Sequence, residues 1–475
     1  MNAKTFLLCS ALAVSGVACS DTTQTAPQTD LGFGDPFVSD IIGVTQNHLS
    51  PEHWIKPGMD KVIMSADEIQ AFNKKNVAAD PSLYDISTAP DTLSETDLLA
   101  RIRSISNVPK YSRIYADETP VTDADFLRYE AALNLQSIEE TNPVRFALTV
   151  RRTSIRTYPT NDLLFSEGAR GRDIERFQES VLFPGDAIAV LHTSTDGRWA
   201  LIQSYNYIAW APLADIAIGT RDEVLGYGNP DKFLVIAGDK VSTVYNPDEP
   251  RVSELQLDMG IKIPLSRPEH LQNNLYGQNP YLSHMVLLPT RQENGGLDFK
   301  HALIQRKEDV HVGYLPFTQE NIIKQSFKFL GERYGWGHRF NGRDCTGFVS
   351  EIYKSFGIQL PRNSGDQGRS EIGINTRYEE RASRADKIVR LEQGQPGDLI
   401  YIPGHVLMLL GQSGEGMDSQ PFVIHDVHGL GYMKEDGTLY KGTLNGVSVT
   451  PMLPLQSNKE RTYLDSASTI KTIKQ

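Results

Sequence analysis

The apolar positions of the chain change rhythm near residues 142 and 318, dividing it into helical, β and mixed regions. Residues 41–142 carry capped helix starts at Ser65-Ala66-Asp67-Glu68 and at Ser94 with Asp97, the latter followed by Leu98, Leu99, Ile102 and Ile105. From Asn142 the apolar residues fall in short runs separated by turn signals. Runs 146–150, 187–192, 199–203 and 208–211 predict strands, and Asp196-Gly197 predicts a hairpin turn. That spacing predicts a small barrel over 143–220. A second β segment, 221–318, includes 232–236 and 241–245 and ends at Val312-Gly313-Tyr314-Leu315-Pro316.

From Thr318 the pattern is α/β. Ile322, Ile323, Phe327 and Leu330 predict a helix stopped by Gly331. Phe348, Ile352 and Phe356 predict a second helix from Cys345 to Phe356, capped by Asp344 and ended by Gly357. Runs 399–402, 405–410 and 422–427 predict strands, which places an α+β domain over 319–456 and leaves 457–475 as a polar tail.

The first residues form a separate unit. Lys4 precedes an apolar stretch, Thr5 to Val17, that is too short to span a membrane and ends in small residues before Cys19. This resembles the lipobox of bacterial lipoproteins, with Gly16 standing where an aliphatic residue is usual. The resemblance implies a signal peptide over 1–18, lipid on Cys19, a tether over 19–40, and export from the cytoplasm to a membrane-anchored place in the envelope. Ser20 after the cysteine, rather than Asp, points to the periplasmic face of an outer membrane if the source is Gram-negative.

Composition excludes some functions. Among 475 residues, Lys+Arg 47 against Asp+Glu 59 gives a net charge of -12, the wrong sign for a nucleic-acid partner. Three cysteines, Cys9, Cys19 and Cys345, are too few for a disulfide framework or a cysteine-rich zinc site, and no metal or cofactor is expected. Removal of Cys9 and acylation of Cys19 would leave Cys345 as the one free thiol, either a buried small hydrophobe or a reactive group.

Position favours reactivity. The first turn of a helix stabilises a thiolate through free N–H groups and the helix dipole. The thiolate needs a base. His405 opens one predicted strand and His425 lies in the next, so alternation can bring both imidazoles to one side. One would take the proton and the other would orient it, although His428 is an alternative orienter.

The local strings add identity. Gly331-Glu332-Arg333-Tyr334-Gly335-Trp336-Gly337, Asp344-Cys345-Thr346-Gly347-Phe348-Val349, Leu360-Pro361-Arg362-Asn363-Ser364, Pro396-Gly397-Asp398-Leu399, Gly404-His405-Val406 and Val423-Ile424-His425 follow in that order. Together they resemble the NlpC-type, papain-like cysteine peptidases of bacterial cell walls. Pro184-Gly185-Asp186, Asp196-Gly197-Arg198-Trp199 and Tyr207-Ile208-Ala209-Trp210 resemble a bacterial SH3-like domain, and 221–318 resembles a diverged second copy. Residues 41–142 are similar to the helical clip of exported members. His338 stands where the family usually repeats glycine.

The resemblance implies a multidomain α+β protein: a helical segment, two small SH3-like β-barrels and a C-terminal papain-like peptidase domain. It makes Cys345 the nucleophile, His405 the base, His425 the orienter and Tyr334 an oxyanion donor. Asp344, Thr346 and Ser364 match substrate-lining positions. For a pocket that takes a free N-terminal L-alanine, Asp344 would supply the carboxylate, Tyr207 matches the barrel tyrosine, and Glu179 is a further candidate. Trp336, Trp199 and Trp210 are expected in cores. The implied partners are peptidoglycan stem peptides or muropeptide fragments, cut between D-γ-glutamate and the diamino acid. An amidase or acyltransferase with the same triad, or a non-catalytic wall-binding scaffold, are the alternatives; oligomeric state is not readable.

Overall fold

The Ser65 hydroxyl accepts from the Glu68 amide, and the Glu68 carboxylate accepts the Ser65 amide at 2.7 Å, so a capping box starts the helix Ala66–Ala79. The computed structural model describes residues 37–475 apart from 169–171, 267–272, 415, 417 and 418, and Ser39–Gln475 forms one compact unit. The expected signal segment, Cys19 and most of the tether lie outside the described residues. Ser94 and Thr122 cap two further helices, Glu95–Ile105 and Asp123–Ala132.

Residues 41–142 pack in two directions. Trp54, Met64, Ile69 and Phe72 enter the core of the C-terminal domain, where Val62–Met64 pairs with Phe317–Thr318. Leu98, Ile102, Phe126 and Tyr129 pack with Trp199 and Trp210 in the core of the β region that follows. Each fully buried side chain of this kind contributes about 1.5–3 kcal/mol, so the segment clamps two bodies together.

Seven antiparallel strands follow, in the spatial order Ile216–Gly219, Arg145–Thr149, Ala187–Thr193, Trp199–Gln203, Ile208–Pro212, Thr153–Arg156 and Gln178–Leu182. Gly197 takes φ +67° in the predicted hairpin turn. The strand Gln178–Leu182 ends the order and lies against the loop before Cys345. Residues 221–318 form a second β-rich body: Phe233–Ile236 pairs with Lys262–Pro264 and Val310–Val312, beside the long hairpin Ser283–Arg291 with Leu297–Gln305. Its core contains Leu234, Ile236, Ile263, Val286 and Ile304.

The C-terminal domain packs the helix Cys345–Lys354 on a six-stranded antiparallel sheet. The strand order is Ile374–Arg377, Thr469–Thr472, Leu399–Ile402, His405–Ser413, Gln420–Met433 and Leu439–Pro451. Alternation works as strand geometry requires: Val406, Met408 and Leu410 share a core with Phe348, Val349 and Ile352, while Leu407 and Leu409 face Leu391 and Leu464.

The polar tail expected over 457–475 is corrected here. Thr469–Thr472 is an interior strand, paired on one side with Ile374–Arg377 and on the other with Leu399–Ile402. Its Lys471 is buried and caps its charge on the carbonyls of Ser370 and Ile372 at 2.8 and 2.7 Å. A charged residue that is solvated by backbone inside a sheet hides the strand from a reading of polarity.

Candidate active site

Cys345 is the first residue of its helix and is 7% exposed. Asp344 caps the helix by accepting from the Gly347 amide at 2.9 Å, as the sequence predicts. Burial, followed by the Asp344 carboxylate, pushes the thiol up to about 12, while the backbone amide of Val406 pulls it the other way. That amide belongs to the residue after His405, so the sulfur faces the start of the histidine strand.

His405 Nε2 lies 2.9 Å from His425 Nδ1, and His425 Nε2 lies 3.0 Å from Thr450 Oγ1. Burial brings His405 down to about 4, with Asp344 opposing, and holds His425 well below the ordinary histidine range, with His405 adding to the shift. Both rings are neutral near pH 7. His428 is elsewhere: its Nε2 pairs with Asp173 at 3.2 Å. Of the two histidines, His425 is therefore the one in contact with His405. No hydrogen bond joins Cys345 to His405 among the described residues.

Tyr334 is buried beside Cys345. Burial, then the acidic neighbours Cys345, Asp344 and Asp426, push its phenol far above its ordinary value, so it remains a hydrogen-bond donor. Thr346 donates to Asp344 Oδ1 at 3.0 Å, and Arg362 donates to Thr346 at 2.6 Å and to Asp344 Oδ2 at 2.7 Å. The Gly337 amide also donates to Asp344 Oδ2, at 3.0 Å. With four such donors Asp344 is ionised, and it is held well below the usual carboxylate range despite burial, chiefly by Arg362.

The barrel contributes the other wall. Tyr207 donates to Glu179, whose other oxygen accepts from Thr157 at 2.6 Å. Arg362 bridges to the same strand through Ser180 Oγ at 2.6 Å. Asp344, Thr346, Glu179 and Tyr207 thus lie in one polar cluster. Ser364 does not join it by hydrogen bonding among the described residues; it is half-buried and opens the short helix Ser364–Arg369. Trp199 and Trp210 are core residues as expected. Trp336 is only half-buried and donates to the Gln178 carbonyl at 3.1 Å, which docks the loop before Cys345 on the barrel.

His338 explains its departure from the family pattern. It adopts φ +65°, a left-handed conformation that favours glycine, yet its buried Nε2 lies 3.0 Å from Glu351 Oε1. Its ring fills the space over Gly347, where a Cβ would lie 2.5 Å from it. Glu351 also accepts from Arg343 at 2.6 Å, and Arg343, with no exposed side-chain surface, reaches Glu332 at 2.6 and 2.8 Å. This network braces the helix under the nucleophile.

Arg343, Arg362 and Asp426 were not legible as site residues. Arginine is mostly a surface residue, so nothing in spacing marks these two as buried. Asp426 follows His425 and is fully buried, with both carboxylate oxygens unpartnered among the described residues. Burial, then Asp344 and Glu332, push it well above the usual carboxylate range.

Comparison with known proteins agrees with this geometry. The NlpC/P60 family model matches residues 331–444, and an SH3 domain model (SH3b1 type) matches 164–212. The chain is 34% identical over 99 residues to a gamma-D-glutamyl-L-lysine dipeptidyl-peptidase of Bacillus subtilis, covering 20% of this chain and 33% of that one. It is 26% identical over 214 residues to the enzyme of the same name from Bacillus cereus, covering 43% of this chain and 54% of that one. The chain thus spans a third to about half the length of these relatives. A solved NlpC/P60 endopeptidase from Photobacterium damselae subsp. piscicida shares the fold with a TM-score of 0.72 at 17% identity, covering 90% of this chain and 97% of that one. The C-terminal domain of this chain belongs to the NlpC/P60 family, with its papain-like α+β fold, and is preceded by a bacterial SH3 domain.

Proposed function

We propose that the protein is a cysteine peptidase that hydrolyses peptidoglycan stem peptides between D-γ-glutamate and the diamino acid. The observation that carries this reading is the His405–His425–Thr450 chain beside a helix-start cysteine. For His405 to accept the thiol proton on Nδ1, its Nε2 must carry hydrogen and donate to His425 Nδ1; His425 Nε2 then donates to Thr450. The Cys345 thiolate attacks the γ-carbonyl, and the oxyanion is met by the Tyr334 hydroxyl and the Cys345 amide. The His405 imidazolium protonates the departing amine, and water attacks the thioester, releasing the γ-glutamyl acid and restoring the thiol.

The specificity we infer is for a stem peptide with a free N-terminal L-alanine. An ammonium needs buried anionic or polar acceptors; Asp344 would supply the carboxylate, with Glu179 and the Tyr207 hydroxyl as the polar groups beside it where the barrel meets the peptidase domain. Support comes from two relatives named for dipeptide release. The test is mass spectrometry of digests. Free L-Ala-γ-D-Glu-diamino acid peptides should be cut at the glutamyl bond, whereas N-acetylated peptides and stems joined to muramic acid should not. Efficient cleavage of intact peptidoglycan would defeat the free-terminus specificity.

We also propose that residues 221–318 are a second SH3-like module and that Cys19 is lipidated, anchoring the protein in the envelope, at an outer membrane if the source is Gram-negative. Labelled palmitate should enter the wild type and not Cys19→Ala; unmodified protein in the soluble fraction would contradict the anchor.

A further inference from the structure

At the far end of the nucleophile helix lies a cavity of about 1000 Å³, lined by the clamp segment, the barrel, the second β body and the peptidase domain. It is a different place from the catalytic cluster. Lys354 closes the ten-residue helix that Cys345 opens, so the two are roughly 15 Å apart along its axis. The size is that of a binding site for a small ligand.

The lining has a definite chemistry. Lys354 is half-buried with its ammonium 5.1 Å from the Phe183 ring centroid and 6.0 Å from that of Tyr205. No carboxylate lies within ion-pair distance of it among the described residues; burial works against the ammonium, and at longer range Asp186, which also accepts the Phe183 amide, and Glu351, which pairs with His338 and Arg343, more than offset it and keep it protonated. Lys262, from the second β body, donates to the Gly228 carbonyl at 2.5 Å and lies 5.4 Å from the Phe233 ring centroid, with no carboxylate in ion-pair contact among the described residues. Lys74 adds a third ammonium from the helix Ala66–Ala79, and the rings of Tyr84, Tyr205 and Tyr314 supply apolar faces between them. Asp85, the other acid of the lining, is turned onto the Ser87 amide and hydroxyl. The three lining ammonium groups outnumber the two lining carboxylates, Asp85 and Asp186, and none is in ion-pair contact among the described residues, so an anionic ligand can complete them.

We propose that this cavity is a second binding site, for a carboxylate-bearing ligand with a compact, partly apolar body. The ligand's source rests on the peptidoglycan reading above: the lactyl carboxylate of muramic acid or the carboxylates of the stem peptide present this chemistry. Binding at such a site would hold wall-derived material across four parts of the chain while the catalytic cluster remains free.

The test is calorimetric titration of the Cys345→Ala protein, with N-acetylmuramic acid and L-Ala-γ-D-Glu-diamino acid tripeptide as acidic probes. N-acetylglucosamine and the carboxyl-amidated tripeptide are the neutral counterparts. At least one acidic probe should bind about tenfold or more tightly than its neutral counterpart, and which one does so identifies the source. That binding should fall about tenfold in Lys262→Gln/Lys354→Gln and persist in Tyr207→Phe, which alters only the catalytic cluster. Should the double variant fail to fold, the exposed Lys74→Gln must show a measurable loss instead. Equal binding of acidic and neutral probes, or acidic binding unchanged in the folded lysine variants, overturns the proposal. Turnover by the wild type is scored separately, so failure of this site leaves the hydrolase reading standing, and the reverse holds equally.

Discussion

His405 Nε2 and His425 Nδ1 face one another at 2.9 Å, and this contact decides which nitrogen of His405 is left for the thiol. His428 is held by Asp173, so the two candidate orienters have different partners. His405→Ala should lower kcat/KM by about 10²–10⁴-fold, the usual worth of a positioned base. His425→Ala should cost less, and His428→Ala least. Steady-state kinetics on the free tripeptide check the ranking; it fails if His428→Ala proves the more damaging.

The thiol is protonated because burial and Asp344 push it up to about 12. A raised thiol pKa leaves a thiolate fraction that grows about tenfold per pH unit below that value. Inactivation by iodoacetamide should therefore accelerate steadily from about pH 6 to about pH 9. Asp344→Asn, which removes the second cause, should raise the rate at fixed pH. A plateau already reached at neutral pH would indicate a preformed thiolate–imidazolium pair.

Arg343 is enclosed by Glu351, Glu332 and Asp258, at 2.6, 2.6 and 3.4 Å. Arg343→Ala strands buried carboxylates and should reduce the unfolding free energy by about 3–5 kcal/mol. Urea denaturation measures it, and an unchanged midpoint would show that the network is replaceable.

The chain's last strand gives a sharper test of architecture. Deleting residues 468–475 removes the partner of both Ile374–Arg377 and Leu399–Ile402. The truncated protein should be insoluble or unfolded by circular dichroism. A folded, active truncation would return the segment to the status of a tail.

That strand also shows what a sequence conveys and what it withholds. Cys345, His405 and His425 stood out because cysteine and histidine are scarce here and recur in a motif order. Ser65, Ser94 and Asp344 stood out because caps are local, needing only residues three positions apart. Lys471 and Arg362 did not, because each is charged yet buried through partners distant in the chain. The clamp was read as helical, but its division between two cores depends on contacts of Trp54 with Phe422 and of Leu98 with the barrel, which no local pattern encodes.

Tyr207 and Glu179 link the barrel to specificity. Tyr207→Phe should raise KM for the free tripeptide and leave kcat nearly unchanged, because the hydroxyl would bind the substrate's amino end and not the reacting carbonyl. Equal kinetics in the variant would remove the barrel from substrate recognition.

The central claim is that Cys345 attacks the γ-glutamyl carbonyl. Intact-protein mass spectrometry of the acid-quenched reaction with L-Ala-γ-D-Glu-diamino acid tripeptide tests it most directly. The predicted result is a wild-type adduct with the mass of an L-Ala-γ-D-Glu acyl group, mapped to the peptide containing Cys345 and absent from Cys345→Ala. An adduct on another residue, or full turnover by Cys345→Ala, would contradict it.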